Sequence, residues 1–303
     1  MVRHLFGHKN PDTDTICSSV VYGNYLERKG DSCKVVKLGE LNNETKFVLD
    51  KFDVEVPETI TGFEEGEEVI LLDHNEMSQS VDNLDELSIV EVIDHHKFNL
   101  KTDKPLFIRA EPLGSTCSIV AKILFENDYK ISKSEASLLI SGIISDTLYF
   151  RSPTSTQEDR NIMDRLNEIA KIEDVYEYSL EMFDAKSDLG DTPVSELVKL
   201  DYKVFDFAGK KFGIGVMETT NSGYGLNRRG EIEKELERIK ENDNLDYAFL
   251  SIVDILNEKN FTIFPSQSEM DLLKEVFDSE IDEGVANLGN VLSRKKQIVP
   301  RIE

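Results

Sequence analysis

After residue 96 this 303-residue sequence contains no histidine; all five, His4, His8, His74, His95 and His96, lie in its first third. Other residue types are scarce too. There are three cysteines, Cys17, Cys33 and Cys117, an odd number with no CxxC pair. That argues against a disulfide framework or a zinc–thiolate knuckle and fits a reducing compartment. No long apolar run exists: the longest, around "ASLLISGII", falls far short of a bilayer span. The opening "MVRHLFGHKN" is too short and too polar for a secretory signal. A soluble, cytoplasmic protein without a membrane partner is expected. Bases are outnumbered, 35 Lys and Arg against 59 Asp and Glu, for a formal net charge of −24. Such a surface argues against a general affinity for DNA or RNA, so no nucleic-acid partner is expected. It still allows a small basic pocket for an anion, because local field and net charge are separate matters.

Hydrophobic residues make up 39% of the chain, enough to build a core. The first half alternates strand and helix patterns. "VRHLF", "CKVVKL", "EEVILLD" (67–73), "SIVEVID" (88–94) and "PLFIRAE" read as strands. "DTICSSVVYGNYLERKG" has helical spacing and stops near Gly30, "ETKFVLDKF" is a short helix, and helices follow over roughly 115–127, 133–149, 155–170 and 173–186. This alternation predicts an α/β domain with a largely parallel sheet flanked by helices. "AKSDLGDTP" (185–193) reads as a linker. Beyond it, "YKVFDFAGKKFGIGVMET" predicts a hairpin turning at 208–210. "EIEKELERIKEND" and "EMDLLKEVF" are helices, and "YAFLSIVDIL" and "FTIFP" strands. The expected division is 1–188 and 189–303, the second part a smaller mixed-sheet α/β domain.

Four histidines sit beside or near aspartate, in "GHKNPDTD", "LLDHNE" and "VIDHHK", each at the C-terminal end of an apolar strand. In open α/β sheets that edge is where ligands bind. A fourth piece, "SGIISDTLYF", carries Asp146 in an apolar helix, where an unpaired carboxylate is costly unless it is bound or facing solvent. Imidazole and carboxylate without thiolate suit Mn²⁺, Co²⁺ or Fe²⁺. Two imidazoles and the four carboxylates of Asp12, Asp14, Asp73 and Asp146 exceed the needs of one ion. Two ions sharing a bridging carboxylate, roughly 3.5–4 Å apart, would hold a hydroxide nucleophile between them and clamp a phosphoryl group. Asp12 and Asp14, two residues apart, would share a face if extended, or be aimed at different ions by a turn at Pro11.

The set "GHKNPDTD", "DH", "DHH" and "SDT" resembles the DHH phosphoesterase superfamily. With "ISDTLYFRSPTST" and the C-terminal "SRKKQIVP", the sequence resembles its family II, manganese-dependent inorganic pyrophosphatases over almost the whole chain. The glycine-rich, histidine-containing motif of the nuclease-like branch is not found, nor is an inserted regulatory domain pair.

The resemblance implies a DHH catalytic domain and a DHH-associated domain, with the active site in the cleft between them. It implies His8, Asp12, Asp14, Asp73, His95 and Asp146 as metal ligands. His8 and Asp12 would hold one ion, Asp14, His95 and Asp146 the other, and Asp73 would bridge. Two tightly bound Mn²⁺ per chain, Co²⁺ as a substitute and Mg²⁺ with the substrate are implied. His96 would contact a phosphate oxygen or protonate the leaving group, or else orient its neighbours; His74 would orient a ligand. Lys203, Ser293, Arg294 and Lys295 would clamp pyrophosphate; without the resemblance the basic run would read as a solvated tail. A homodimer through the N-terminal domain is also implied. Two other readings stand beside pyrophosphate hydrolysis: another DHH phosphoesterase acting on polyphosphate or short oligonucleotides, and a non-catalytic metal- or phosphate-binding module.

Overall fold

The computed structural model describes residues 2–188, 190 and 192–303, apart from the side chain of Lys295. The chain forms two compact units, Met1–Ala185 and Lys186–Glu303.

In the first unit, β1 (Arg3–Phe6) leads to α1 (Thr13–Arg28), then β2 (Cys33–Lys37), α2 (Asn43–Lys51), β3 (Glu58–Thr59), β4 (Glu68–Leu72), β5 (Ser88–Asp94) and β6 (Phe107–Ala110). Four helices follow, α3 (Thr116–Glu126), α4 (Lys133–Thr147), α5 (Gln157–Ala170) and α6 (Val175–Ser187). The six strands form one sheet in the order β3-β2-β1-β4-β5-β6, and every pairing is parallel. Continuous apolar runs make such a sheet, because both faces are covered. Val69, Ile70, Leu71 and Leu72 of β4 are all fully buried, each contributing about 1.5–3 kcal/mol of transfer free energy. One face packs Phe6, Val36, Leu71, Leu84 and Val92 together. Helices α1, α3, α4 and α5 pack against one another.

The strand order sets the position of the site. From β1 the chain moves outward through β2 and β3, then returns to the other side of β1 for β4, β5 and β6. The reversal lies between β1 and β4, and the carboxyl ends of strands at such a switch point open a crevice.

Local signals place the helices. α1 ends at Arg28, and Gly30 follows with φ +95°, a left-handed conformation in which glycine avoids a Cβ clash. Ser132 and Glu135 form a capping box at the start of α4, and Thr156 and Asp159 do so at α5. α6 runs on to Ser187, past the start of the expected linker at 185.

The second unit comprises α7 (Val194–Leu197), β7 (Tyr202–Phe207), β8 (Lys210–Thr219), α8 (Gly223–Leu226), α9 (Arg229–Asn242), β9 (Tyr247–Asp254), β10 (Lys259–Ile263), α10 (Gln267–Phe277), β11 (Glu280–Asp282), β12 (Val285–Gly289) and α11 (Val299–Ile302). Its sheet order is β11-β12-β10-β9-β8-β7; β8 and β9 are parallel and the other pairs antiparallel. The β7–β8 hairpin turns at Ala208 and Gly209, both at positive φ, the backbone that matches strand twist. Ile232, Leu236 and Ile239 bury one stripe of α9. Residues Arg294–Ile298 form a single widened helical turn.

Candidate metal centre

His8 lies two residues beyond β1, Asp73 directly follows β4, and His95 directly follows β5. These three strands are adjacent, so their ends converge. Asp12 is the extended N-cap of α1 and accepts the Thr15 backbone N–H at 2.9 Å, while Asp14 is already inside the first turn. The start of the helix, not a shared extended face, therefore separates the two carboxylates. Asp146 comes from the last turn of α4.

The side chains meet in groups that all contain Asp73. Oxygen and nitrogen atoms of His8, Asp12 and Asp73 lie within 4.8 Å of one another, as do those of Asp14, Asp73, His95 and Asp146, and those of Asp73, His95 and His96. The two oxygens of Asp73 face different groups. His8 Nε2 is 3.6 Å from Asp73 Oδ2 and 3.3 Å from Asp12 Oδ2. His95 Nε2 is 3.4 Å from Asp73 Oδ1 and 3.3 Å from Asp146 Oδ2.

Hydroxyls and helix N-termini hold these carboxylates. Thr15 Oγ1 donates to Asp73 Oδ2 at 2.6 Å, and Thr116 Oγ1 to Asp73 Oδ1 at 2.9 Å. Asp14, fully buried, accepts from Ser115 Oγ at 2.6 Å and from the Thr116 and Cys117 backbone N–H groups at 2.6 and 2.9 Å. It sits at the positive end of α3, which favours an anion. Glu44, also fully buried, accepts from Thr13 Oγ1 and Ser145 Oγ, tying α2 to the first turn of α1 and the last turn of α4. Asp73 has φ +62°, a region where Asp and Asn are the best tolerated non-glycine residues. No sequence motif marks Thr15 or Glu44 as site residues, and only the helix-cap pattern "GSTC" points to Ser115 and Thr116.

The donor chemistry fits a divalent cation. His95 Nδ1 donates to the Leu113 carbonyl at 3.0 Å, which turns its buried Nε2 toward the Asp73 and Asp146 carboxylates, where it forms no well-aligned hydrogen bond among the described residues. This is the orientation that ligating histidines take from a carbonyl behind them. The group is electrostatically crowded. Burial opposes a charge on His95, but Asp146 and Asp73 override it and push its pKa up to about 12. His8 is raised to about 9 by Asp12 and Asp73, again against burial. Burial first, then the Asp73 charge, raise Asp14 to about 7. Asp146 is also pushed well above the usual carboxylate range, by burial and by Asp14. Asp73 goes the other way: burial works against its charge, but His95 and His8 hold it below that range.

A cavity of about 410 Å³ opens beside the groups, lined by His8, Asp73, His74, Asn75, His96 and Lys97 among others. The His96 side chain is about half exposed and its Nδ1 is 2.9 Å from Asp94 Oδ1. Among the described residues the His74 ring nitrogens bond the Leu72 carbonyl and Ser80 Oγ, so the ring braces the loop after β4.

In the second unit Lys203, Ser293 and Arg294 share the lining of a cavity of about 480 Å³ with Asp201 and Glu218. Arg294 Nη1 donates to the Asp201 carbonyl and Nη2 to the Asp201 carboxylate, each at 2.6 Å, so the guanidinium has an acidic partner 93 residues away in the sequence. The Lys295 side chain lies outside the described residues.

Residues 4–143 match the DHH family N-terminal domain, and residues 180–303 match the DHHA2 domain. A protein of Deinococcus radiodurans named as a manganese-dependent inorganic pyrophosphatase is 45% identical over 99% of this chain and 97% of its own length. The manganese-dependent inorganic pyrophosphatase of Methanocaldococcus jannaschii is 39% identical over 100% and 98%. A Methanococcus jannaschii crystal structure named as a family II inorganic pyrophosphatase superposes with a TM-score of 0.66 at 38% identity, covering 99% of this chain and 98% of that one. With both domains matched and relatives of this identity over full length, the chain belongs to the DHH-superfamily family II, manganese-dependent inorganic pyrophosphatases.

Proposed function

We propose that this chain is a hydrolase that cleaves inorganic pyrophosphate to two phosphates with manganese as cofactor. The observation that carries the reading is Asp73: one carboxylate, in the lining of a cavity, faces two donor groups with different oxygens. The names of the full-length relatives supply the substrate.

His8 and Asp12 form one half-site, and Asp14, His95 and Asp146 the other, with Asp73 common to both. These groups would hold two Mn²⁺, with Co²⁺ as a substitute and Mg²⁺ entering with the substrate. When bound, the cations lower the pKa of water and neutralise phosphoryl charge. The chain's own groups do the rest. Asp73 and Asp14 are fixed by hydroxyls and helix N–H groups, so the donor atoms need little reorganisation. His96, half exposed beside the donor groups, donates to a phosphate oxygen or protonates the departing phosphate. Lys203, Ser293, Arg294 and Lys295 supply phosphate contacts, the arginine through a planar fork and the lysines as point charges. The working form is a cytoplasmic homodimer assembled through the N-terminal domain, with no nucleic-acid or membrane partner. No helix among the described residues is long and apolar enough to cross a membrane.

The test is phosphate release from pyrophosphate, tripolyphosphate and a dinucleotide, with Mn²⁺ and with Mg²⁺ alone. Preferred turnover of pyrophosphate with Mn²⁺ is expected. Faster turnover of tripolyphosphate or the dinucleotide would move the chain to another DHH phosphoesterase activity, and no turnover of any would leave a binding module.

A further inference from the structure

Asp94 ends β5 directly before the two histidines and is fully buried, yet it belongs to none of the donor groups. Both its oxygens are committed elsewhere. Oδ1 accepts the His96 backbone N–H at 3.0 Å and lies 2.9 Å from His96 Nδ1. Oδ2 accepts Asn75 Nδ2 at 2.6 Å. Asn75, almost fully buried after β4, also donates to the Lys97 carbonyl at 3.0 Å and accepts the Asn99 backbone N–H. The amide thus locks the loop after β5 to the loop after β4, and the carboxylate at its centre grips one imidazole.

We propose that Asp94, held by Asn75, is a positioning residue that fixes the ring of His96 over the cavity. This rests on the reading of His96 as the group that meets a phosphoryl oxygen. An imidazole that is half exposed has two soft torsions and little packing to choose between them. A carboxylate behind Nδ1–H chooses one orientation, in which the protonated ring presents Nε2–H to the phosphoryl oxygen. The His95 ring, 4.2 Å away and tilted by 61°, forms the second wall. Neither neighbour could be found by spacing: Asp94 reads as one more acid in a metal-like run, and Asn75 as a polar loop residue.

The test is a double-mutant cycle on the full chain loaded with Mn²⁺, using Asp94→Asn, His96→Gln and both together. Readouts are kcat and KM for pyrophosphate, metal content after gel filtration, and the thermal midpoint. Asp94→Asn must lose either the Asn75 donor or the His96 donor, because an amide cannot accept on both atoms. It should lower kcat on the order of 30-fold with unchanged metal content, the scale of a misplaced reacting group. In the His96→Gln background the same change should alter kcat less than about twofold. If Asp94→Asn folds poorly, Asn75→Ser supplies the same cycle with a smaller loss. Losses that multiply in the double variant, a kcat for either single variant within twofold of wild type, or metal loss in Asp94→Asn each overturn the proposal. A wild-type chain that releases no phosphate contradicts the functional reading itself, and that control separates the two failures.

Discussion

The Thr15 hydroxyl donates to Asp73 Oδ2 at 2.6 Å, so a residue in the first turn of α1 fixes the carboxylate at the end of β4. Thr15 is almost fully buried, and the bond joins segments 58 residues apart. Thr15→Val keeps the shape and removes the donor. Mn²⁺ affinity is expected to fall about 10- to 100-fold, as for other groups behind metal ligands. Competition with a fluorescent chelator measures it. A change under about threefold would mean that Asp73 is held by Thr116 alone.

The crowded titratable groups predict how stability follows pH. His8, raised to about 9, and His95, raised to about 12, hold protons more tightly folded than unfolded. Their contribution is fully present below the ordinary histidine value of 6.5 and is lost as pH rises through the folded values. Asp14, raised to about 7, keeps its proton in the folded state, so it too favours folding less as pH climbs. Asp73 is held low and opposes this only in the acid range. Chelator-treated protein should therefore lose stability from pH 6.5 to pH 9, while cations replace those protons in the loaded protein. Thermal midpoints with excess Mn²⁺ and with chelator should diverge as pH rises. A constant gap would contradict this.

Gly142 in α4 leaves room for two neighbours: a Cβ there would fall 2.3 Å from Cys117 Sγ and 2.8 Å from Asp14 Oδ1. Gly142→Ala should raise helix propensity yet destabilise the chain by about 1–3 kcal/mol through overpacking. It should also weaken metal binding, since Asp14 must shift. Urea unfolding and metal titration test both; unchanged stability would show that Cys117 gives way freely.

Arg294 pairs with Asp201, whose carboxylate is more than half exposed, so losing the arginine strands no buried charge. Arg294→Ala should leave metal content unchanged, because every candidate ligand lies between residues 8 and 146. Catalytic efficiency toward pyrophosphate should drop on the order of 2–4 kcal/mol, roughly 30- to 1000-fold. Steady-state rates and metal analysis on one preparation decide it, and near-normal kcat and KM would return the basic run to a solvated tail.

Much of the first unit could be read directly. Its central strand β4 is a continuous apolar run and helices α1 to α5 carry side-chain caps, so local pattern and tertiary role agree there, whereas the two exposed residues of β3 give no such pattern. The donor residues were readable because histidine is rare and sat beside aspartate at strand ends. The groups that hold them were not. Thr15, Ser115 and Thr116 are ordinary helix-start residues until the fold turns their hydroxyls inward, and Glu44 looks like a surface acid on a polar helix. Asp201 pairs with Arg294 across 93 residues, a separation no local pattern encodes. Strands β11 and β12 escape the local pattern because "EID" and "VANLG" are only three and five residues long, too short for their alternation to stand out.

The decisive measurement is manganese stoichiometry of Asp73→Asn after gel filtration, beside wild type. Asparagine tolerates the left-handed backbone at this position and stays within reach of Thr15 and Thr116, so the substitution removes charge and bridging capacity with little strain. If Asp73 joins the two donor groups, wild type retains two ions per chain, the variant retains one or none, and phosphate release from pyrophosphate collapses with the loss. A variant that keeps two tightly bound ions and hydrolyses pyrophosphate at the wild-type rate would contradict the shared-carboxylate centre.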